Sequence, residues 1–133
     1  MSCVLRAAGR DFDIDSFLNS SALKALVVYH RGEQQFPDAP IHLMEQSGMN
    51  ISVSEREFSN LAGQIEDATR FLSENASELE RLRAFPGVER LELDFPIVDR
   101  DAPVQTDLFP ADLLLRMGNL KIALRVSRYP ESS

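Results

Sequence analysis

The string that could most readily do chemistry is Asp11-Phe12-Asp13-Ile14-Asp15, in which three aspartates alternate. Alternating aspartates open calcium-binding loops and also the catalytic loop of some phosphatases. A calcium loop counted from Asp11 needs glycine sixth and glutamate twelfth, where this chain has Ser16 and Ala22. A phosphatase loop needs an apolar strand running directly into the aspartates, but Gly9-Arg10 intervenes. Carboxylates that cap a helix at its positive end explain the string without a ligand.

The other residues with chemical potential are two histidines, one cysteine and a second acidic string. His30 and His42 have neither His-x-x-x-His nor His-x-Glu spacing, so a zinc site would need carboxylates supplied by the fold. Cys3 lies on the core side of the first predicted strand, where a free cysteine behaves as a small hydrophobe. Asp99-Arg100-Asp101 fails the calcium spacing, because Pro110 occupies the glutamate position. We therefore expect no catalytic residue, no metal and no cofactor.

The elements that position these residues follow from the apolar pattern. Alternation and β-branched runs predict strands at residues 2–8, 25–30, 49–53, 88–95 and 120–129. Helical spacing and capping signals predict a short helix capped by Asp11 or Asp13, a long helix beginning at Ser54, a short helix capped by Asn75, and a helix from Pro110 to Gly118. Ser54 with Glu57 fits a capping box, although Ser52 with Glu55 would start the long helix one turn earlier.

The order β-α-β-β-α-α-β-α-β predicts a single α+β domain over residues 1–133, related to the ferredoxin-like fold, with one mixed five-stranded sheet. Three strands alternate cleanly, whereas a sheet buried on both faces would show continuous apolar runs. We therefore expect helices on one face only and water on the other. The wet face would show Val4, Arg6, Val27, Tyr29, Asn50, Ser52, Arg90, Glu92, Asp94, Lys121 and Arg125. This face is either solvated, a homodimer contact or a partner-binding surface.

Composition limits the classes of partner. The 133-residue chain has 14 Lys and Arg against 21 Asp and Glu, so its net charge is −7. Without a basic stripe, nonspecific nucleic-acid binding is disfavoured. No apolar run approaches the ~18 residues of a transmembrane helix, and the residues after Met1 do not resemble a secretory signal. We expect a cytoplasmic protein that binds neither nucleic acid nor membrane.

Three short segments carry a resemblance to a known family. They are residues 9–13 (Gly-Arg-Asp-Phe-Asp), residues 29–33 (Tyr-His-Arg-Gly-Glu), and the stretch from Phe109 to Tyr129, which ends in Ser-Arg-Tyr. With these, the chain resembles a family of uncharacterised bacterial α+β domains, although residues 20–23 depart from the usual glycine or proline turn. The resemblance implies an accessory or immunity-type protein of bacteria. It brings no catalytic residues with it.

Two functions are consistent with these observations. The first is a non-enzymatic protein-binding or accessory module, a monomer or a homodimer, whose partner meets the polar sheet face. The alternative is a small-molecule-binding protein or small enzyme that uses a cleft under the loops 33–48 and 96–109. Its polar groups would be His30, Arg31 and Asp94.

Overall fold

A computed structural model of the chain describes residues 2–34 and 42–130, and within these ranges it shows one mixed five-stranded sheet and four helices. The elements are β1 (Val4–Gly9), α1 (Ile14–Asn19), β2 (Val27–Tyr29), β3 (Ser47–Ser52), α2 (Leu61–Glu74), α3 (Ala76–Ala84), β4 (Arg90–Asp99), α4 (Ala111–Asn119) and β5 (Ala123–Pro130). The predicted α+β class and element order are confirmed. Residues 35–41 of the loop 33–48 lie outside the described residues.

The sheet has the order β2-β3-β1-β4-β5. β1 lies at its centre and pairs antiparallel with both β3 and β4. β3 and β4 therefore run in the same direction, and α2 and α3 connect them. β2 pairs antiparallel with β3 at one edge, and β5 pairs parallel with β4 at the other.

The hydrophobic core lies between the helices and one face of the sheet. Alternate strand positions supply its floor: Cys3, Leu5, Ala7, Met49, Ile51, Leu91, Leu93 and Phe95. All four helices add buried apolar side chains above it, among them Phe17, Ile65, Leu72, Leu79, Leu82, Leu113 and Met117. The opposite sheet face contributes no residue to this cluster. The prediction of helices on one face therefore agrees with the packing.

The predicted start of the long helix at Ser54 is wrong. The helix begins at Leu61, and the side chain of Asn60 caps it by accepting a hydrogen bond from the Gly63 amide at 2.9 Å. Ser54 is instead held at the end of the sheet, where its amide donates to the Cys3 carbonyl and its own carbonyl accepts from Ser2. Because the Ser54 backbone is committed to the sheet, it cannot open a helix.

The fourth strand is longer than predicted, and the loop 96–109 correspondingly shorter. β4 continues through Pro96 to Asp99, paired throughout with β5. The sequence predicts a loop from Pro96 onward, and a proline has no amide to donate to a neighbouring strand. Its carbonyl accepts a hydrogen bond from the buried Gln64 side chain, 3.0 Å away, which ties this part of the strand to α2.

Candidate functional site

The helix-free side of the sheet carries the candidate site. We call it the polar sheet face, and it consists of Val4, Arg6, Ala8, Val27, Tyr29, Gly48, Asn50, Ser52, Arg90, Glu92, Asp94, Ala123, Arg125 and Ser127. Strand register sets their arrangement, since Arg6 lies between Asn50 on β3 and Glu92 on β4. Asp94 lies directly beside Arg125 on β5. The prediction that Lys121 lies on this face is wrong, because the residue lies in the turn before β5 with a positive φ of 56°.

The polar sheet face is concave. A cavity of ≈ 570 Å³ opens on it, lined by Arg6, Ala8, Tyr29, Met44, Asn50, Arg90, Glu92, Asp94, Arg125, Ser127 and Tyr129. Small residues make the floor possible: at Gly48, an added Cβ would lie 2.5 Å from the Tyr29 hydroxyl oxygen. Glycine at this position therefore allows the tyrosine to lie across the sheet, and the long arginines form the sides of the concavity.

Two carboxylates lie at the base of this concavity, away from water. Glu92 is 8% exposed and Asp94 6% exposed. The expectation of a fully wet face is therefore wrong at these two residues and at Val4, which is 4% exposed, although Arg90 remains half exposed. No helix of the described chain covers them. Their side-chain partners are instead arginines of the same face, Arg90 and Arg125 at Glu92 and Arg6 at Asp94.

Each buried carboxylate receives several hydrogen bonds. Glu92 accepts from Arg125 at 2.8 and 3.3 Å and from Arg90 at 3.0 Å. Asp94 accepts from Arg6 at 3.2 and 3.3 Å and from the Ser127 hydroxyl at 2.6 Å. Such charge-assisted, paired contacts fix the orientation of a guanidinium plane. The carboxylates therefore hold the three arginines, which we call the arginine cluster (Arg6, Arg90 and Arg125), in defined positions.

The electrostatics of the site follow from these contacts. Burial acts to raise the pKa of Glu92, but hydrogen bonds and charge from Arg125 and Arg90 outweigh it, so the pKa lies below its ordinary value. The hydrogen bond to Glu92 raises the pKa of Arg125 in turn. Burial raises the pKa of Tyr29 against the opposing charges of Arg90 and Arg6. These shifts favour the charged forms of Glu92 and Arg125 and the neutral form of Tyr29.

The arginine cluster keeps unused hydrogen-bonding capacity. A guanidinium group has five N–H donors, and toward the described residues Arg90 uses one of its nitrogens. Arg6 and Arg125 each use two nitrogens, and the rest find no acceptor among the described residues. The side chains are 37%, 52% and 48% exposed for Arg6, Arg90 and Arg125. With two carboxylates against three cations, the concavity offers positioned donors and an excess of positive charge to an incoming group.

The three predicted site residues are not brought together. Asp94 lies in the concavity, whereas His30 lies after β2 and contacts Asp15 and Glu33. Arg31 pairs with Asp11 at 3.5 Å, also away from Asp94. A joint binding role for His30, Arg31 and Asp94 stays a prediction.

The aspartate string serves structure. Asp13 caps α1 by accepting a hydrogen bond from the Ser16 amide at 3.1 Å, as one of the two predicted frames required. Asp15 pairs with His30 at 2.9 Å, joining α1 to the turn after β2. Within the described ranges, no group of three or more His, Cys, Asp or Glu residues is arranged to hold a metal ion. Burial raises the pKa of the Cys3 thiol, which disfavours the nucleophilic thiolate.

Sequence reasoning placed most of the polar sheet face correctly but missed the hydrogen-bond network within it. Ser127 was not recognised as a partner of Asp94, and Tyr129 was not placed beside the concavity. The available signal was the alternation Arg90, Glu92, Asp94 on one strand facing a Ser and an Arg on another. To predict the hydrogen bonds from this alternation, one must know that β4 and β5 pair in parallel and in which register. The sequence alone does not give that register.

Comparisons with protein-family models, with curated proteins and with solved structures each return no match. The resemblance to a bacterial α+β family therefore stays a prediction. Among the helices of the described residues, none is long and apolar enough to cross a membrane.

Proposed function

We propose that this chain is a non-enzymatic protein-binding module and that the polar sheet face is its binding surface. The observation that supports this most is the burial of Glu92 and Asp94 beneath the arginine cluster. Burying two carboxylates is costly unless each is well paired. Here the pairing fixes three half-exposed guanidinium groups on an open surface. Because these side chains are already ordered, little conformational entropy is lost when a partner binds them.

The partner surface should present carboxylates or other strong hydrogen-bond acceptors. Positioned arginines contact such groups in pairs of parallel hydrogen bonds. Tyr29, at the same concavity, supplies aromatic contact area of the kind enriched at protein interfaces. The site is positively charged, but the whole chain has a net charge of −7 and would repel a partner that is acidic over its entire surface. The site therefore favours a partner with a local acidic group.

The test is recovery of a partner from extracts of the native host by the immobilised chain. Arg90→Gln removes a cluster cation and leaves Glu92 paired with Arg125, so the fold should persist. Arg116→Gln is the matched control, because Arg116 makes a single hydrogen bond to Asp112 on α4, away from this face. We expect a stoichiometric partner with the wild type and Arg116→Gln and at least tenfold less with Arg90→Gln. Equal recovery by both variants would refute the assignment of the surface.

A small-molecule-binding role is the second candidate, supported by the size of the concavity. Its ≈ 570 Å³ lies within the range of pockets that hold small ligands, about 300–1,000 Å³. A thermal-shift screen with small di- and tricarboxylates tests it directly. Stabilisation of the wild type but not of Arg90→Gln would favour this role over protein binding.

Three narrower forms of the proposal concern the kind of partner and the cellular compartment. A homodimer through the polar sheet face would place like-charged arginine clusters opposite each other. A partner that is a different protein is therefore favoured over a second copy of this chain. An immunity-type role would require that partner to be a toxin of bacteria. Action in the cytoplasm accords with a single, free cysteine.

A further inference from the structure

The outer edge of β5 is a long strand edge without a neighbour. β5 runs over eight residues, Ala123–Pro130, and within the described residues it pairs only with β4. Its other side leaves a row of backbone N–H and C=O groups facing outward, which is a template for another strand. The opposite sheet edge, β2, spans only three residues. β5 is therefore the edge on which an added strand gains the most hydrogen bonds.

On the helix side of β5, Leu124 and Val126 are apolar and accessible, whereas Arg128 is a basic residue on the same side. Leu124 and Val126 are 41% and 39% exposed, although the equivalent positions on β4 are buried. Beside Val126 lies a groove of ≈ 650 Å³ in which the apolar Ile97 and Phe109 are joined by four polar or charged residues, Gln105, Thr106, Asp107 and Arg128. An incoming strand would lay alternate side chains along this side, where apolar ones would cover Leu124 and Val126 and enter the groove.

The charge of the strand distinguishes between occupants. Residues 120–130 contain Lys121, Arg125 and Arg128 and no acidic residue, although the whole chain has a charge of −7. A second copy that added its own β5 would bring one basic strand against another, and like charges across a strand pair are unfavourable. An acidic strand would instead place carboxylates next to Arg125 on the polar side.

We infer that the open edge of β5 binds an extended segment of another protein in which apolar residues alternate with Asp or Glu. The segment adds a sixth strand by backbone hydrogen bonding, its apolar side chains lie on Leu124 and Val126, and its carboxylates lie beside Arg125. This goes beyond the proposed function, because it uses the edge of the sheet and shares with the concavity of the polar sheet face only Arg125, which lies on β5 itself.

The probe is a capped eight-residue peptide in which valine alternates with glutamate, titrated into the isotope-labelled chain and followed by amide NMR. We expect shifts concentrated at residues 123–130 and slower hydrogen exchange of the outward-facing β5 amides. Replacing glutamate by lysine should weaken binding at least tenfold. Methylating alternate peptide nitrogens on the pairing edge should abolish it, because the strand can then no longer donate backbone hydrogen bonds.

Variants separate this site from the polar sheet face. Val126→Glu should weaken peptide binding at least tenfold, whereas Val28→Glu, at a similarly exposed valine on the other edge strand, should not. Arg90→Gln should also leave the affinity for the peptide unchanged. A substitution in the concavity and a substitution at the β5 edge therefore affect peptide binding differently. The inference is overturned if the peptide does not bind, or if the lysine or methylated peptides bind equally well. It is also overturned if the chemical-shift changes are centred on Arg6 and Arg90. Protection of the β5 amides that rises with protein concentration without peptide would assign the edge to a second copy of the chain and would overturn it too.

Discussion

Replacing Glu92 by glutamine should destabilise the fold, because the side chain keeps its shape but loses the charge that faces two arginines. Gln presents one acceptor oxygen and turns an NH2 group toward Arg90 or Arg125, so at least one charge-assisted hydrogen bond is lost, about 1.5–3 kcal/mol. Both arginines are about half exposed and regain water on losing the contact. We therefore expect the lower part of that range, about 1.5–2 kcal/mol.

The measurement is urea unfolding at neutral pH, followed by circular dichroism. With a slope of about 1–3 kcal/mol/M, the midpoint should fall by roughly 1 M at unchanged slope. The pH dependence gives a second check. Since the pKa of Glu92 is lowered in the folded state, the difference between wild type and Glu92→Gln should be complete above the ordinary value of 4.5 and shrink as pH falls through the lower folded value.

The matched control is Glu66→Gln on α2, whose ion pair with Arg70 is exposed on both sides. That substitution should cost at most about 0.5 kcal/mol. If Glu92→Gln cost no more than Glu66→Gln, the buried carboxylate would not be holding the arginines, and the physical basis of the proposed binding surface would be lost.

Three further predictions concern the scaffold. Asn60→Ala should lower the unfolding free energy by about 1 kcal/mol by removing the cap of α2, whereas Glu57→Gln, at the sequence-predicted box, should leave it unchanged within the error of urea unfolding. The Cys3 thiol should react with a thiol reagent only at the rate of global unfolding, measured by mass spectrometry, because burial first and then the charges of Asp94 and Asp67 raise its pKa; fast native labelling would contradict this. Hydrogen bonds with Asp15 and then Glu33 raise the pKa of His30. The stabilisation that His30 gives the folded state should therefore be complete below pH 6.5 and disappear as the pH rises through the folded pKa. The difference in unfolding free energy between wild type and His30→Gln, measured across this pH range, checks it.

The fold was predictable where one rule governed each segment. Alternation in 120–129 and around Leu91 and Leu93 predicts strands, and β5 and β4 lie there, although β5 is exposed on both faces and β4 is largely buried on both. Boundaries failed where tertiary contacts overrode local signals: Ser54 has the sequence of a cap but is held by Cys3 and Ser2 at the sheet end. Such contacts join residues about fifty positions apart, and no local pattern encodes them.

The site was predictable as a surface and not as a network. Alternation correctly placed Arg6, Glu92 and Arg125 on the helix-free face, and alternation normally indicates exposure. Whether a carboxylate on such a face is wet depends on which cations lie across the neighbouring strands. That in turn depends on strand order, since Asp94 meets Arg6 on β1 and Ser127 on β5. Charge pairing across strands distant in the sequence is therefore what sequence reasoning missed.

The most direct test of the central claim, that buried carboxylates fix the arginine cluster, is NMR of the arginine Nε–H groups. Arg6 and Arg125 donate through Nε to Asp94 and Glu92, whereas the Arg10 side chain makes no hydrogen bond within the described residues. Slow hydrogen exchange and high order parameters for Arg6 and Arg125 Nε–H, with fast exchange for Arg10, are the predicted result. Equal, fast exchange at all three would show that the guanidinium groups are not held, and would contradict the account.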